Sequence, residues 1–233
     1  MEATQINHLI NWPKVVLKTI GINFKKNPDS FLNNVSGVIH VGANTGQERK
    51  IYAQQKLDVI WIEPIPEIFE KLKSNLKRYP RQQGYQYLVT DKENENYEFN
   101  IANNNGASSS IFHFNLHKDI WPQVNYERSI MLKSTTLVSL VHKENINIDK
   151  YDALVMDTQG SELLVLKGAE SILDKFKYIK TEVPDFESYV GCCQLKDIES
   201  FLLNHGFKEY SKHNFASRKN GGNYYDIVYE KVN

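Results

Sequence analysis

The sequence predicts an α/β fold: a mainly parallel sheet with helices on both faces and an antiparallel hairpin strand at its end. Three observations predict it. Apolar, strand-like runs at 38–41, 58–63, 152–157 and 178–183 alternate with helical patterns. The first run passes directly into a turn holding Gly42 and Gly46, and polar, helix-favouring residues 47–50 follow. Two runs near the end, 207–210 and 224–229, flank a polar Lys/Asn/Gly loop and read as a closing hairpin.

Residues 1–36 read as a helical lead-in. Ile6, Leu9 and Ile10 recur at helical spacing, and Pro13 restarts the pattern with Val16, Leu17 and Ile20. A segment of this kind packs over a sheet edge, caps a site or makes homodimer contacts. The main domain then spans 37–233. A short helix after Gly46 turns Ile51, Tyr52 and Leu57 inward. After the strand at 58–63, Pro66 suits a first helical turn, and the helix at 67–78 lines up Ile68, Phe69, Leu72 and Leu76. A third strand is expected over 85–89 and an antiparallel addition over 97–101. Residues 103–110 are polar and turn-rich, and 111–114 is strand-like. A strand at 129–133 and a helix at 136–143 precede the buried strand at 152–157. Residues 158–162 turn into a helix that closes near Gly168. The strand at 178–183 follows, then a helix at 194–204 stopped by His205 and Gly206.

At 233 residues and 41% hydrophobic content, the chain suits one large domain. Basic and acidic side chains balance at 28 each, which argues against nucleic acid as a partner. No apolar run reaches membrane-spanning length and no signal-peptide core is visible, so a cytoplasmic setting without membrane insertion is expected. Cys192 and Cys193 are adjacent, which excludes a disulfide framework.

The strand tips carry the candidate chemistry: the Gly42 turn, Glu63, Asp157 and Glu182. In an open α/β sheet, ligands bind beyond the carboxyl ends of the strands. Glycine admits positive φ and lets a ligand approach the backbone, and the N–H groups opening the next helix favour a polar or anionic group. Glu63 lies 21 residues after Gly42, a distance that suits hydrogen bonding to ribose hydroxyls. The turn is not the G-x-G-x-x-G of dinucleotide enzymes, and no Tyr/Lys pair at helical spacing accompanies it. Both facts speak against an NAD-linked oxidoreductase. Three carboxylates beside a glycine turn speak against a non-catalytic module. The connection from 103 to 126 carries His113, His117, Trp121 and Tyr126, the polar and aromatic content of a lid over an acceptor.

Several segments together resemble the FkbM family of S-adenosylmethionine-dependent methyltransferases. They are Val-Ile-His-Val-Gly-Ala-Asn-Thr-Gly-Gln at 38–47, Trp-Ile-Glu-Pro at 61–64, Ala-Ser-Ser-Ser-Ile at 107–111, Met-Asp-Thr-Gln-Gly-Ser-Glu at 156–162, Thr-Glu-Val at 181–183 and Phe-Leu-Leu-Asn-His-Gly-Phe at 201–207. The resemblance covers roughly residues 37–230. It implies a class I methyltransferase (Rossmann-like) fold, seven strands with the last antiparallel. It also implies S-adenosyl-L-methionine as cofactor. By position, Gly42, Ala43, Asn44 and Gly46 cradle its methionine part, and Glu63, beside Pro64, holds the ribose. Thr90 and Asp91 lie near adenine, Ser109 belongs to the same site, and Asp157 lies near the amino group and the reactive methyl. Gln159 stands where many relatives carry a glutamate. The implied reaction is O-methylation of a sugar or glycoconjugate hydroxyl, with a polyketide-type natural product as the alternative acceptor.

A hydroxyl is a weak acid, so a base or a metal assists its methylation. The base candidates are His113, His117, Asp157 and Glu182. Asp157 and Glu182 are alternatively oxygen ligands for magnesium or manganese. Trp121, Tyr126 and Tyr189 are candidate platforms for a sugar ring.

Overall fold

The computed structural model describes residues 29–232. Of the expected lead-in over residues 1–36, residues 1–28 lie outside the described residues, and Ser30–Asn34 form a short 3-10 helix. The elements are β1 (Gly37–Val41), α1 (Arg49–Gln54), β2 (Asp58–Ile62), α2 (Pro66–Leu76), β3 (Gln82–Tyr85), β4 (Leu88–Val89), β5 (Asn96–Ala102), β6 (Tyr126–Thr135), α3 (Leu137–Lys143), β7 (Ala153–Met156), α4 (Glu162–Lys167), β8 (Tyr178–Pro184), α5 (Leu195–Asn204), β9 (Phe207–Ser217) and β10 (Asn223–Lys231).

The main sheet has seven strands in the order β3-β2-β1-β7-β8-β10-β9. Strands β3, β2, β1, β7 and β8 pair in parallel, and β10 is antiparallel to both of its neighbours. The closing hairpin is therefore present, but its antiparallel strand is not the edge. β10 inserts between β8 and β9. Burial explains the choice: Tyr224, Ile227, Val228 and Tyr229 of β10 are buried, whereas β9 buries only Phe207 and suits the exposed edge.

Alternation along the parallel strands feeds two cores. Ile39, Val41, Ile60, Ile62, Leu154 and Met156 meet Leu140 of α3, Val165 and Leu166 of α4 and Leu202 of α5. Val38, Val59, Trp61 and Val155 point the other way, onto Phe31, Tyr52, Phe69 and Leu72. Each fully buried Leu or Ile contributes roughly 1.5–3 kcal/mol, so the parallel strands are held from both faces.

Three expectations are corrected between β2 and β7. The run at 85–89 is not one strand. Tyr85 ends β3 beside β2, while Leu88 and Val89 pair with β6 in a separate sheet of order β4-β6-β5. The antiparallel addition, β5, also belongs to that sheet and not to the main one. The small sheet buries Leu88, Phe99 and Ile101 against Ile65 and Ile68 at the start of α2, which draws the chain away from the main sheet after Tyr85. Residues 111–114 form no strand. The connection is instead pinned by single bridges, Asn100 to Ser110 and Phe114 to Tyr189.

Candidate active site

The register of the parallel strands builds the site. Val41 of β1 lies level with Ile62 of β2 and with Met156 of β7, and Met156 lies level with Thr181 of β8. Gly42, Glu63, Asp157 and Glu182 are the next residues of the same rank. Asp226 of β10 sits directly opposite Glu182. One row of strand ends thus gathers a glycine turn and four carboxylates.

A cleft open to solvent, of about 730 Å³ of empty space, lies at the Gly42, Glu63 and Asp157 part of this row. Gly42, Ala43, Asn44, Glu63, Pro64, Ser109 and Asp157 all line it. Tyr87, Leu88, Val89 and Phe99 supply the small sheet's share of the wall. Thr90 and Asp91 are not among the lining residues, and Thr90 is fully buried with its N–H on Thr135. Gly46 is likewise set back from the cleft. A Cβ on it would meet Leu72 Cδ1 at 2.8 Å, and its φ is +69°.

Gly42 is demanded by the fold rather than by ligand approach alone. Its φ is +82°, and a Cβ would stand 1.9 Å from the carbonyl oxygen of Asp157. The close pairing of the β1 and β7 ends leaves no room for a side chain. Helix α1 begins at Arg49, and both the turn and the N-cap residue Glu48 line the cleft.

Glu63 is almost fully buried. Its Oε2 accepts the backbone N–H of Asn44 at 2.8 Å and its Oε1 that of Ile65 at 2.9 Å. Burial raises its carboxyl to about 7; those two hydrogen bonds oppose the rise and the nearby Asp157 adds to it. Each carboxylate oxygen has two lone pairs, so one acceptor position on each remains for a vicinal pair of ribose hydroxyls. The residues present therefore fit an adenosyl ligand. Asn44 itself, at φ +45°, ties the turn to the neighbouring connection through Nδ2 to the Asn105 carbonyl at 3.1 Å.

Asp157 lines the cleft and is raised to about 7, chiefly by burial, while its hydrogen bond from Gln159 opposes the rise. Glu182 is pushed well above the usual carboxylate value by burial, then by Asp157 and Asp226. Ionised Asp157 thus opposes the ionisation of Glu182, and burial favours the protonated form of both.

Sequence reasoning missed Glu162 as a site builder. It is 2% exposed and accepts the N–H of Thr158 at 2.8 Å and that of Gly160 at 3.0 Å. These bonds fold the loop after Asp157, in which Gln159 (φ +53°) and Gly160 (φ +103°) are left-handed. The available signal was its place in the first turn of α4, four residues after Thr158.

A second cavity of about 520 Å³ meets the same loop from the other side. Asp157 and Gln159 line both cavities. Ala107 also lines both, and Asn104, Ser108, His117, Trp121, Glu182 and Phe215 complete the second one. His117 is buried among Phe114, Trp121 and Tyr189, and its Nδ1 has no hydrogen-bond partner. Burial lowers it to about 4. His113 is exposed and does not line either cavity. The serine run is spent on folding: Ser109 Oγ accepts the Ala102 N–H at 3.0 Å, and Ser110 Oγ donates to the Gln159 carbonyl at 2.8 Å. Of the aromatic candidates, only Trp121 faces a cavity. Tyr126 stacks on Phe114 and donates to the Phe112 carbonyl, and Tyr189 is buried.

Among the described residues, no group of three or more His, Cys, Asp or Glu is disposed to hold a metal ion. Nor is any helix among them long and apolar enough to cross a membrane.

The sheet order with one reversed strand, and the cleft over its carboxyl ends, define a class I methyltransferase fold. Solved structures share it. M. capricolum TrmK, in complex with S-adenosylhomocysteine, superposes with a TM-score of 0.51 at 9% identity, over 88% of this chain and 66% of that one. The METTL16 methyltransferase domain gives 0.51 at 11% identity, over 95% of this chain and 70% of that one. A model of the methyltransferase FkbM domain matches residues 40–209. The chain belongs to the FkbM methyltransferase family, and is an S-adenosylmethionine-dependent methyltransferase. The 2-O-methyltransferase NoeI of Sinorhizobium fredii is 24% identical over 173 residues, which cover 71% of this chain and 70% of that protein.

Proposed function

We propose that the protein methylates a hydroxyl of a sugar or glycoconjugate. The observation that carries this reading is the meeting of two cavities at Asp157 and Gln159. The first offers Glu63 to a ribose. The second offers a mixed wall: Trp121 and Phe215 as apolar surfaces, and Asn104, Ser108 and Glu182 as hydrogen-bonding groups. That mixture suits a ring with apolar faces and hydroxyl edges. The similarity to NoeI, a 2-O-methyltransferase, supports a hydroxyl acceptor.

Bound S-adenosylmethionine supplies an electrophilic methyl on a sulfonium leaving group. The chain's own residues have three tasks. Glu63 and the Ala43–Asn44 turn hold and orient the donor. The wall of the second cavity lines the acceptor up and excludes water, and orientation of this kind supplies several kcal/mol of the barrier. A base takes the hydroxyl proton. Asp157, near 7, is matched to neutral pH, whereas His117, near 4, is a weak base there.

The test is product analysis with isotopically labelled methyl donor and a panel of oligosaccharides. The expected product is a sugar methyl ether. Methyl transfer to nitrogen or to a protein side chain, with none to any hydroxyl, overturns the acceptor assignment and leaves the family standing.

A further inference from the structure

In the loop after Asp157, the Gln159 side chain sits inside a hydrogen-bond network. Gln159 Nε2 donates to Asp157 Oδ1 at 2.6 Å, and Tyr189 Oη donates to Gln159 Oε1 at 2.5 Å. The backbone carbonyl of Gln159 accepts from Ser110 Oγ at 2.8 Å. The direction of the side-chain bonds follows from chemistry. An ionised carboxylate only accepts, so the amide must turn its NH₂ to Asp157 and its oxygen to Tyr189. Tyr189 is 1% exposed and pinned in turn by the bridge to Phe114. Gln159 is therefore fixed at three points, in a left-handed backbone conformation that a non-glycine residue adopts only when its surroundings impose it.

Asp157 has no other side-chain partner among the described residues, so Oδ2 is free. We propose that Gln159 is a positioning residue: held by Tyr189 and Ser110, it locks the Asp157 carboxylate with its free oxygen at the junction of the two cavities. This rests on the methyl-transfer reading and assigns a task within that site. S-adenosylmethionine carries a positive sulfonium, and S-adenosylhomocysteine a neutral thioether. A carboxylate aimed at that centre tells the two apart. A carboxylate free to swing toward the surrounding carboxyls and solvent does so less well.

The experiment titrates both ligands by calorimetry into the full chain, Gln159→Leu and Tyr189→Phe, with thermal melts to confirm folding. The proposal expects the ratio of S-adenosylmethionine to S-adenosylhomocysteine affinity to fall about tenfold in Gln159→Leu and about threefold in Tyr189→Phe. A ratio equal to wild type in a folded variant overturns it, whether both affinities are kept or both drop together, because the loop then acts on shape alone. If Gln159→Leu does not fold, Tyr189→Phe decides by the same criterion. Failure of the wild-type chain to bind either ligand is a different result: it removes the methyl-transfer reading itself.

Discussion

Asp157, one step past β7, stands level with Glu182 of the parallel neighbour β8, and Asp226 faces Glu182 from antiparallel β10. Three ionised carboxylates side by side across a sheet would destabilise it, as like charges directly opposite do. The sheet tolerates them because burial keeps part of the set protonated. Asp157 is raised to about 7 and Glu182 well above its ordinary value, and Asp226 is raised as well.

A pH dependence of stability follows. The unfolded Asp157 side chain releases its proton near 3.8, and the folded one near 7. Between those values the folded state holds a proton that the unfolded state has lost, so stability falls as pH rises through the window. Asp157→Asn keeps an oxygen for Gln159 and removes the charge. It should stabilise the ligand-free protein by on the order of 1–3 kcal/mol at about pH 8 and leave it unchanged at about pH 4. Urea unfolding at the two pH values measures this. An equal effect at both would mean that the charge is not the cause.

Glycine positions separate into two kinds. Gly42→Ala puts a Cβ 1.9 Å from a backbone oxygen at φ +82°, while Gly191 at φ +77° has nothing within 4 Å of its added Cβ. Gly191→Ala should cost roughly 1–2 kcal/mol, the conformational penalty alone. Gly42→Ala should cost more than about 4 kcal/mol or prevent folding. Comparable melting temperatures for the two variants would contradict the packing argument.

The second cavity has a latch. Arg218, in the turn between β9 and β10, binds Asp119 Oδ2 through Nη2 at 2.6 Å and Nε at 2.9 Å. It joins the hairpin to the connection that carries His117 and Trp121. Asp119 is 42% exposed, so the pair contributes no more than about 1 kcal/mol to stability. Arg218→Ala should leave S-adenosylmethionine affinity unchanged and raise hydrogen exchange over residues 113–121. Unaltered exchange there would show that packing alone holds the connection.

Metal dependence is testable without knowing the acceptor's identity in advance, on whichever oligosaccharide the product analysis selects. With the carboxyl pair acting as a proton acceptor, a chelator should leave turnover intact and Asp157→Asn should lower kcat. Loss of turnover on chelation, restored by magnesium or manganese, would reassign Asp157 and Glu182 as ligands.

Much of the site was legible because strand ends are legible. The apolar run 38–41 stops at Gly42, 58–62 at Glu63, 153–156 at Asp157, and each stop is a cleft residue. Parallel pairing then forces neighbouring ends into one rank. What escaped the sequence depends on contacts between distant residues. Tyr189 reaches Gln159 from 30 positions away and Ser110 from 49. The break between Tyr85 and Leu88 was hidden for the same reason: both halves read as strand, and only their partners, β2 and β6, differ. Thr90 and Asp91 follow directly on Val89, the last residue of β4 and part of the cleft wall.

The most direct test of the central claim is calorimetric titration of S-adenosylmethionine into the full chain and into Glu63→Ala, with NAD as competitor. The account predicts binding to the wild-type chain, no competition by NAD, and a loss of roughly 1–3 kcal/mol in Glu63→Ala, which leaves two ribose hydroxyls without their buried acceptor. Unchanged affinity in a folded Glu63→Ala protein, or displacement of the ligand by NAD, would contradict it.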